Sequence, residues 1–192
     1  GKYIIFLDSD DIVPDDAYEK MYLAAEKNHS EMVVGSVARF NSKKDHVSNL
    51  HEIAFRKYID KTHITDNTDL IYDTTSWNKL ILKEFWDRNH FEFPERILYE
   101  DIPMHYLANN VTMVQDVCYR WRIRDGANKS ITQRADDFTN MRDRITVLRM
   151  VDKFFEENVK EQELWDAKYY KWLYIDLMIY VNNCIYLSDN RT

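Results

Sequence analysis

The sequence predicts an α/β domain that runs on into an α-helical C-terminal tail. Three observations predict it. A short β-branched and aromatic run, KYIIFL (2–7), stops abruptly at Asp8. A second apolar run, EMVVGSVARF (31–40), follows a stretch with helical spacing. From about 134 onward, apolar residues recur every three or four positions, which is helical periodicity. Strand, helix and strand in alternation specify a sheet covered by helices.

Each element has its own signal. Residues 2–7 read as a buried, parallel strand ending in a polar loop, because an unbroken apolar run of that length suits a strand covered on both faces. Pro14 and Asp15-Asp16 open a helix with apolar positions at Ala17, Met21, Ala24 and Ala25, since Pro is tolerated at a helix start. Residues 31–40 form the second strand, and Gly35 within it marks a bulge or a close approach of another backbone. Residues 41–65 are polar and read as an irregular loop. Residues 66–72 are one or two helical turns, 76–88 a helix, 91–98 an extended link, and 100–110 a helix with Pro103 in its first turn. Residues 111–124 alternate as a strand. Two helices follow, 134–158 and 162–188, rich in Trp, Tyr and Leu. The domain boundary falls at 133/134, with 1–133 as the α/β part and 134–192 as the helical extension.

Composition narrows the function. The chain has 192 residues, 45 % hydrophobic and 31 % charged, with a net charge of −7. That is a globular composition, long enough to bury roughly 70 % of its unfolded surface without staples. It has 3 glycines, at positions 1, 35 and 126, where average usage would give roughly 13. None is close to another, which excludes a Walker loop, a G-x-G-x-x-G turn and a kinase Gly-rich loop. Phosphate would have to be held by side chains or a metal. Cys118 and Cys184 form no C-x-x-C, so there is no zinc framework; two thiols in a chain this size fit a reducing compartment. The apolar stretch 172–187 is interrupted by Asp176, Asn182 and Asn183 and is no membrane span. Net acidity argues against nucleic acid as the main partner.

Charge is unevenly placed. Residues 1–31 carry Asp8, Asp10, Asp11, Asp15, Asp16, Glu19, Glu26 and Glu31 against three lysines. Residues 118–149 carry Arg120, Arg122, Arg124, Lys129, Arg134, Arg142, Arg144 and Arg149. Two solvated faces would explain this, and so would a cation site and an anion site.

Four motifs carry chemistry. Asp8-Ser9-Asp10-Asp11 follows the first strand, and ligands of open α/β sheets bind beyond the carboxyl ends of strands. Three carboxylates there repel one another unless a cation sits among them, and Mg²⁺ or Mn²⁺ takes one or two carboxylates plus phosphate oxygens. A helix N-terminal acid cluster answering the macrodipole is the competing reading. Tyr99-Glu100-Asp101-Ile102-Pro103 puts two carboxylates at a helix start, as a cap or as a general base. Arg120, Arg122 and Arg124 share one strand face, with Trp121 and Ile123 turned to the core, as a phosphate cradle or a charged sheet edge. Trp77-Asn78-Lys79 offers an aromatic, an amide and an amine to a sugar or polyol, or is simply core.

Taken together these residues resemble one family. Gly1-Lys2-Tyr3-Ile4-Ile5-Phe6-Leu7-Asp8-Ser9-Asp10-Asp11, Trp77-Asn78-Lys79-Leu80 with Phe93-Pro94, Tyr99-Glu100-Asp101-Ile102-Pro103, and Tyr119-Arg120-Trp121-Arg122-Ile123-Arg124 with Ser130-Ile131-Thr132 stand in the order found in inverting family 2 glycosyltransferases. The similarity is greatest to the bacterial branch that builds capsular polysaccharide, teichoic acid or related wall polymers. The resemblance implies a partial GT-A (Rossmann-like) fold, a mixed sheet flanked by helices. It implies a metal-dependent transfer of sugar, with inversion, from a nucleotide-diphosphate sugar to a hydroxyl of a glycan or polyol-phosphate acceptor in a cell-surface polysaccharide or wall polymer. It implies Mn²⁺ or Mg²⁺ on Asp10, with Asp8 on the ribose or the metal. Asp101 would be the base and Glu100 its neighbour. Asp8, Asp11, Arg122, Arg124 and Ser130 would hold the donor diphosphate, and Trp77, Asn78 and Lys79 would line the acceptor side. It implies a cytoplasmic location at the inner face of the bacterial membrane. Family members reach the D-S-D-D only after several more elements, so the chain, which opens on Gly1, is expected to lack the family's N-terminal nucleotide-binding portion.

Two alternatives stand beside this. A haloacid-dehalogenase-type phosphatase also places D-x-D after an early strand, although Asp11-Ile12 stands where that family has Gly then Thr or Val. A non-catalytic helical interaction domain would use the stripe Trp165, Tyr169, Trp172, Leu173, Leu177 and Tyr180. Left exposed, that stripe would meet a partner, a second copy or a membrane surface.

Overall fold

The computed structural model describes residues 1–47, 49–99, 101, 108, 110–124 and 137–182. They fall into two compact units, Gly1–Phe93 with Met104–Ile123, and Pro94–Pro103 with Arg124–Thr192.

The first unit is built on a mixed sheet. β2 (Met32–Phe40) is its centre, buried along nearly its whole length. β5 (Val111–Arg122) runs parallel to it on one side, while β4 (Lys79–Leu82) and β3 (Asp45–Val47) pair antiparallel with its two halves on the other. β1 (Tyr3–Ile5) pairs antiparallel with β4. The first strand is thus shorter than 2–7, half-buried, and antiparallel to its described neighbour, where a buried parallel strand was expected. An apolar run reports burial, but its pairing partner lies far along the chain.

α1 (Ala17–Asn28) buries Ala17, Met21 and Ala25 and ends at His29 in the left-handed conformation. Its small side chains let it lie close on Val33, Leu80, Val114 and Cys118. Gly35 is both things its position allowed. The β2–β5 register shifts on either side of Ser36, and a Cβ on Gly35 would lie 2.4 Å from the Cβ of Cys118.

Two stretches differ from expectation. Residues 41–65 contain β3 and a short helix, α2 (Asn49–Ala54), with His51 and Ala54 buried; few polar residues carry the contact, so the composition looked like loop. Residues 76–88 divide into β4 and a short helix, α3 (Lys83–Arg88). The run Leu80-Ile81-Leu82 is too short for periodicity to separate strand from helix, and the vacant edge of β2 decides it. Residues 68–72 form the expected helical turn, of 3-10 type.

In the second unit α4 (Phe138–Asn158) is capped by Asp137, whose carboxylate accepts the Thr139 N–H at 2.8 Å. It buries Val147, Leu148, Val151 and Phe155, a helical stripe. α5 (Gln162–Lys171) runs into a π-helical turn over Trp172–Asp176, where one continuous helix was expected. The Lys168 ammonium, fully buried, sits 3.7–4.6 Å from the ring centres of Phe155, Trp165, Tyr169 and Trp172 and 2.7 Å from an Asp152 carboxylate oxygen. A desolvated ammonium over ring faces gains electrostatic attraction from each, so this one lysine ties α5 to α4. The aromatic stripe splits accordingly: Trp172 and Tyr180 are buried, Trp165 and Leu177 half-buried, Tyr169 and Leu173 exposed. The expected helix at 100–110 lies mostly outside the described residues. No described helix is long and apolar enough to cross a membrane.

Candidate functional site

The D-S-D-D segment leaves the carboxyl end of β1 as a turn, with the Asp11 N–H donating to the Asp8 carbonyl at 3.2 Å. It is stapled to β5. Ile12 and Arg120 exchange backbone hydrogen bonds of 3.1 and 2.8 Å. The Tyr119 hydroxyl donates to Asp11 Oδ2 at 2.8 Å and accepts the Asp8 N–H at 3.1 Å. The Arg122 N–H donates to Asp11 Oδ1 at 2.7 Å, and Arg122 Nε donates to the Asp10 carbonyl at 2.5 Å. Both Asp11 oxygens therefore have partners on β5. Burial pushes the Asp11 carboxyl up, against the bonds from Arg122 and Tyr119, and the charges of Asp10 and Asp8 push it the same way as burial. Burial also pushes the Tyr119 hydroxyl far above its ordinary range, so it stays a donor.

Asp11 thus faces inward and ties the loop to the sheet. Asp8 is exposed and Asp10 half-buried. Among the described residues, no three His, Cys, Asp or Glu side chains form a group that would hold a metal ion unaided. The hard oxygens of Asp8 and Asp10 suit an ion that completes its shell with phosphate oxygens and water.

Arg120 and Arg122 do share a face of β5. Their guanidinium carbons lie 5.0 and 4.6 Å from the Phe40 ring centre. Arg120 pairs with Asp45. Arg124 is exposed and belongs to the second unit. Ser130 and Glu100 lie outside the described residues.

Asn78 and Lys79 turn inward, each 1 % exposed. Lys79 Nζ donates to Asp73 Oδ1 at 3.0 Å, to Asn78 Oδ1 at 2.8 Å and to the Thr75 carbonyl at 2.5 Å. Asn78 Nδ2 donates to Asp73 Oδ2 and to the Gly35 carbonyl, both at 2.8 Å. Burial alone would raise the Asp73 carboxyl; the charge of Lys79, then of His51, overrides it and holds it far below the usual range. Trp77 is 8 % exposed and stacks on Tyr119, centroids 4.2 Å apart. The W-N-K run therefore braces the ring whose hydroxyl holds the D-S-D-D turn.

Asp101 lies in the second unit, with the C-terminal helices. Sequence reasoning assigned no role to Tyr119, Asp73, Tyr99, Arg144 or Lys171. Tyr119 carried one readable signal: it alternates with Arg120 and so faces the core, where a tyrosine hydroxyl needs a partner.

Residues 1–89 match the family described as glycosyl transferase family 2, so the resemblance carried by the motifs holds over that segment. The fold is the GT-A fold. The crystal structure of S. aureus TarS superposes with a TM-score of 0.65 at 18 % identity, over 87 % of this chain and 27 % of TarS. TarS 1–349 in complex with UDP-GlcNAc gives 0.57 at 18 % identity, over 87 % and 56 %. TarS 1–349 in complex with UDP gives 0.55 at 17 %, over 85 % and 52 %. The chain thus spans little more than half of the shorter TarS and about a quarter of the longer. No curated protein matches the chain in sequence.

Proposed function

We propose that this chain serves the transfer of a sugar from a nucleotide-diphosphate sugar to a hydroxyl group of a cell-surface polysaccharide or wall polymer, with inversion, at the inner face of the bacterial membrane. One observation carries the reading: a D-S-D-D turn, locked to the neighbouring strand, in a segment that matches glycosyl transferase family 2, on a fold shared with a protein crystallised with UDP-GlcNAc and UDP. Asp10 and Asp8 would hold Mn²⁺ or Mg²⁺, which when bound neutralises the charge of the leaving diphosphate. Asp11 keeps the two carboxylates in place. Arg122, tethered to the Asp10 carbonyl, Arg124 and Ser130 add positive charge and a hydroxyl for the diphosphate. Asp101, ionised, takes the proton from the acceptor hydroxyl, and Glu100 flanks it. Trp77, Asn78 and Lys79 serve the acceptor side from within, as the buried support of Tyr119.

The test is Mn²⁺ binding to the chain in the presence of UDP, followed by electron paramagnetic resonance of the free ion. Asp10→Asn should weaken it at least tenfold, and Asp101→Asn should leave it unchanged while abolishing transfer. Equal Mn²⁺ affinity in wild type and Asp10→Asn would overturn the metal assignment. Transfer that survives Asp101→Asn would overturn the base.

A further inference from the structure

The residues before and at Asp101 do not stand with the sheet. Pro94–Pro103 forms one compact unit with the C-terminal helices. Within it Tyr99 holds a φ of 68°, the left-handed region that a bulky side chain enters only when its surroundings enforce it. Those surroundings come from α4 and from the chain after α5. The Tyr99 hydroxyl donates to Asn140 Oδ1 at 2.5 Å and lies 3.1 Å from the Tyr180 hydroxyl, which donates to the same Asn140 oxygen at 2.7 Å. Asn140 and Tyr180 are each 2 % exposed, so water does not compete for these bonds. The Arg144 guanidinium caps the Tyr99 ring, 3.4 Å from its centre, and reaches Asp176 at 3.6 Å. Asp176 in turn accepts from Lys171 Nζ at 2.7 Å. Lys171 is 3 % exposed, and burial pulls its ammonium down.

We infer that the C-terminal helices position the segment that carries the proposed base: Asn140 and Tyr180 latch Tyr99, two residues before Asp101, and Arg144, held by Asp176, clamps its ring. This rests on the proposed role of Asp101 and adds to it a task for the helices. The residues named are positioning residues. A left-handed Tyr99 is held against its steric preference, and a hydrogen bond from each of two tyrosines to one oxygen leaves little freedom for that setting.

The experiment uses the full chain and two variants. Tyr99→Phe keeps the ring under Arg144 and removes only the hydroxyl. It should speed amide exchange at 97–99 about tenfold, leave exchange at 147–155 unchanged, and lower kcat with KM for the donor unmoved. Tyr180→Phe, which leaves the Tyr99 bond to Asn140 in place, should change both readouts in the same direction by less. Wild-type exchange and kcat in Tyr99→Phe would overturn the inference. Full transfer by Asp101→Asn would instead overturn the base assignment beneath it.

Discussion

Replacing Tyr119 by Phe removes one oxygen from the centre of the site. The ring stays stacked on Trp77 at 4.2 Å, and the position, 1 % exposed, stays sealed. What goes is a donor to the Asp11 carboxylate and an acceptor for the Asp8 N–H. A hydrogen bond to a charged group contributes about 1.5–3 kcal/mol and a neutral one about 1 kcal/mol. Asp11 is half-buried, so water recovers part of the first; the expected loss is about 2 kcal/mol. In urea unfolding, with a slope of about 2 kcal/mol per molar, the midpoint should fall by about 1 M at constant slope. The deficit should also depend on pH. The folded Asp11 carboxyl is raised above its ordinary value, chiefly by burial, so the native state binds its proton more tightly than the unfolded chain. Asp11 therefore adds stability as pH falls through its folded value and withdraws it as pH rises. Losing the Tyr119 bond raises that value further. The deficit should be complete at neutral pH and shrink as the carboxylate range is entered. A deficit under about 0.5 kcal/mol at pH 7, or one that grows toward acid, would refute the reasoning.

Three other outcomes follow from the structure. Gly35→Ala should cost about 2–3 kcal/mol in chemical denaturation, the scale of core overpacking, because the new Cβ meets the Cys118 Cβ at 2.4 Å; Cys118→Ala should not rescue it, since that atom remains. Lys79→Met should cost about 3 kcal/mol by taking the ammonium away from buried Asp73 and leaving it His51 and Asn78, and adding Asp73→Asn should recover part of that loss; equal stability of the single and double variants would contradict the ion pair. In a Cys184→Ser chain, Cys118 should resist a thiol reagent at pH 8 until the protein unfolds, since burial pushes its thiol up to about 12 and it is 2 % exposed; rapid labelling of the native chain would contradict the packing of β5 on α1.

The D-S-D-D was legible because position sharpened it: a carboxylate cluster directly after an apolar run marks the end of a strand. The roles within it were not. Asp8, Asp10 and Asp11 look alike in sequence, and only pairing with β5 distinguishes the carboxylate that faces Tyr119 from the two that precede it. The same holds for Trp77-Asn78-Lys79, polar and aromatic enough to read as a binding surface, yet drawn inside where Asp73, Thr75 and the Gly35 peptide bond the amide and the amine. Residues 76–88 misled for another reason. Their apolar run is as short as a strand and as amphipathic as a helix, and its state depends on β1 and β2, both far away in sequence.

Local chemistry by itself determined the α/β class, the strands around 3–5, 32–40 and 111–122, the first helix, and the acidic turn after β1. These are written in periods of two and four residues and in single-residue sterics. The tertiary structure alone decided which strands pair and in which direction, which acid faces inward, and that the segment holding Asp101 stands with the C-terminal helices. Those decisions rest on contacts between residues such as Tyr119 and Asp11, or Tyr99, Asn140 and Tyr180. Their partners are separated by many tens of residues, and their energy appears only when burial removes the competing water.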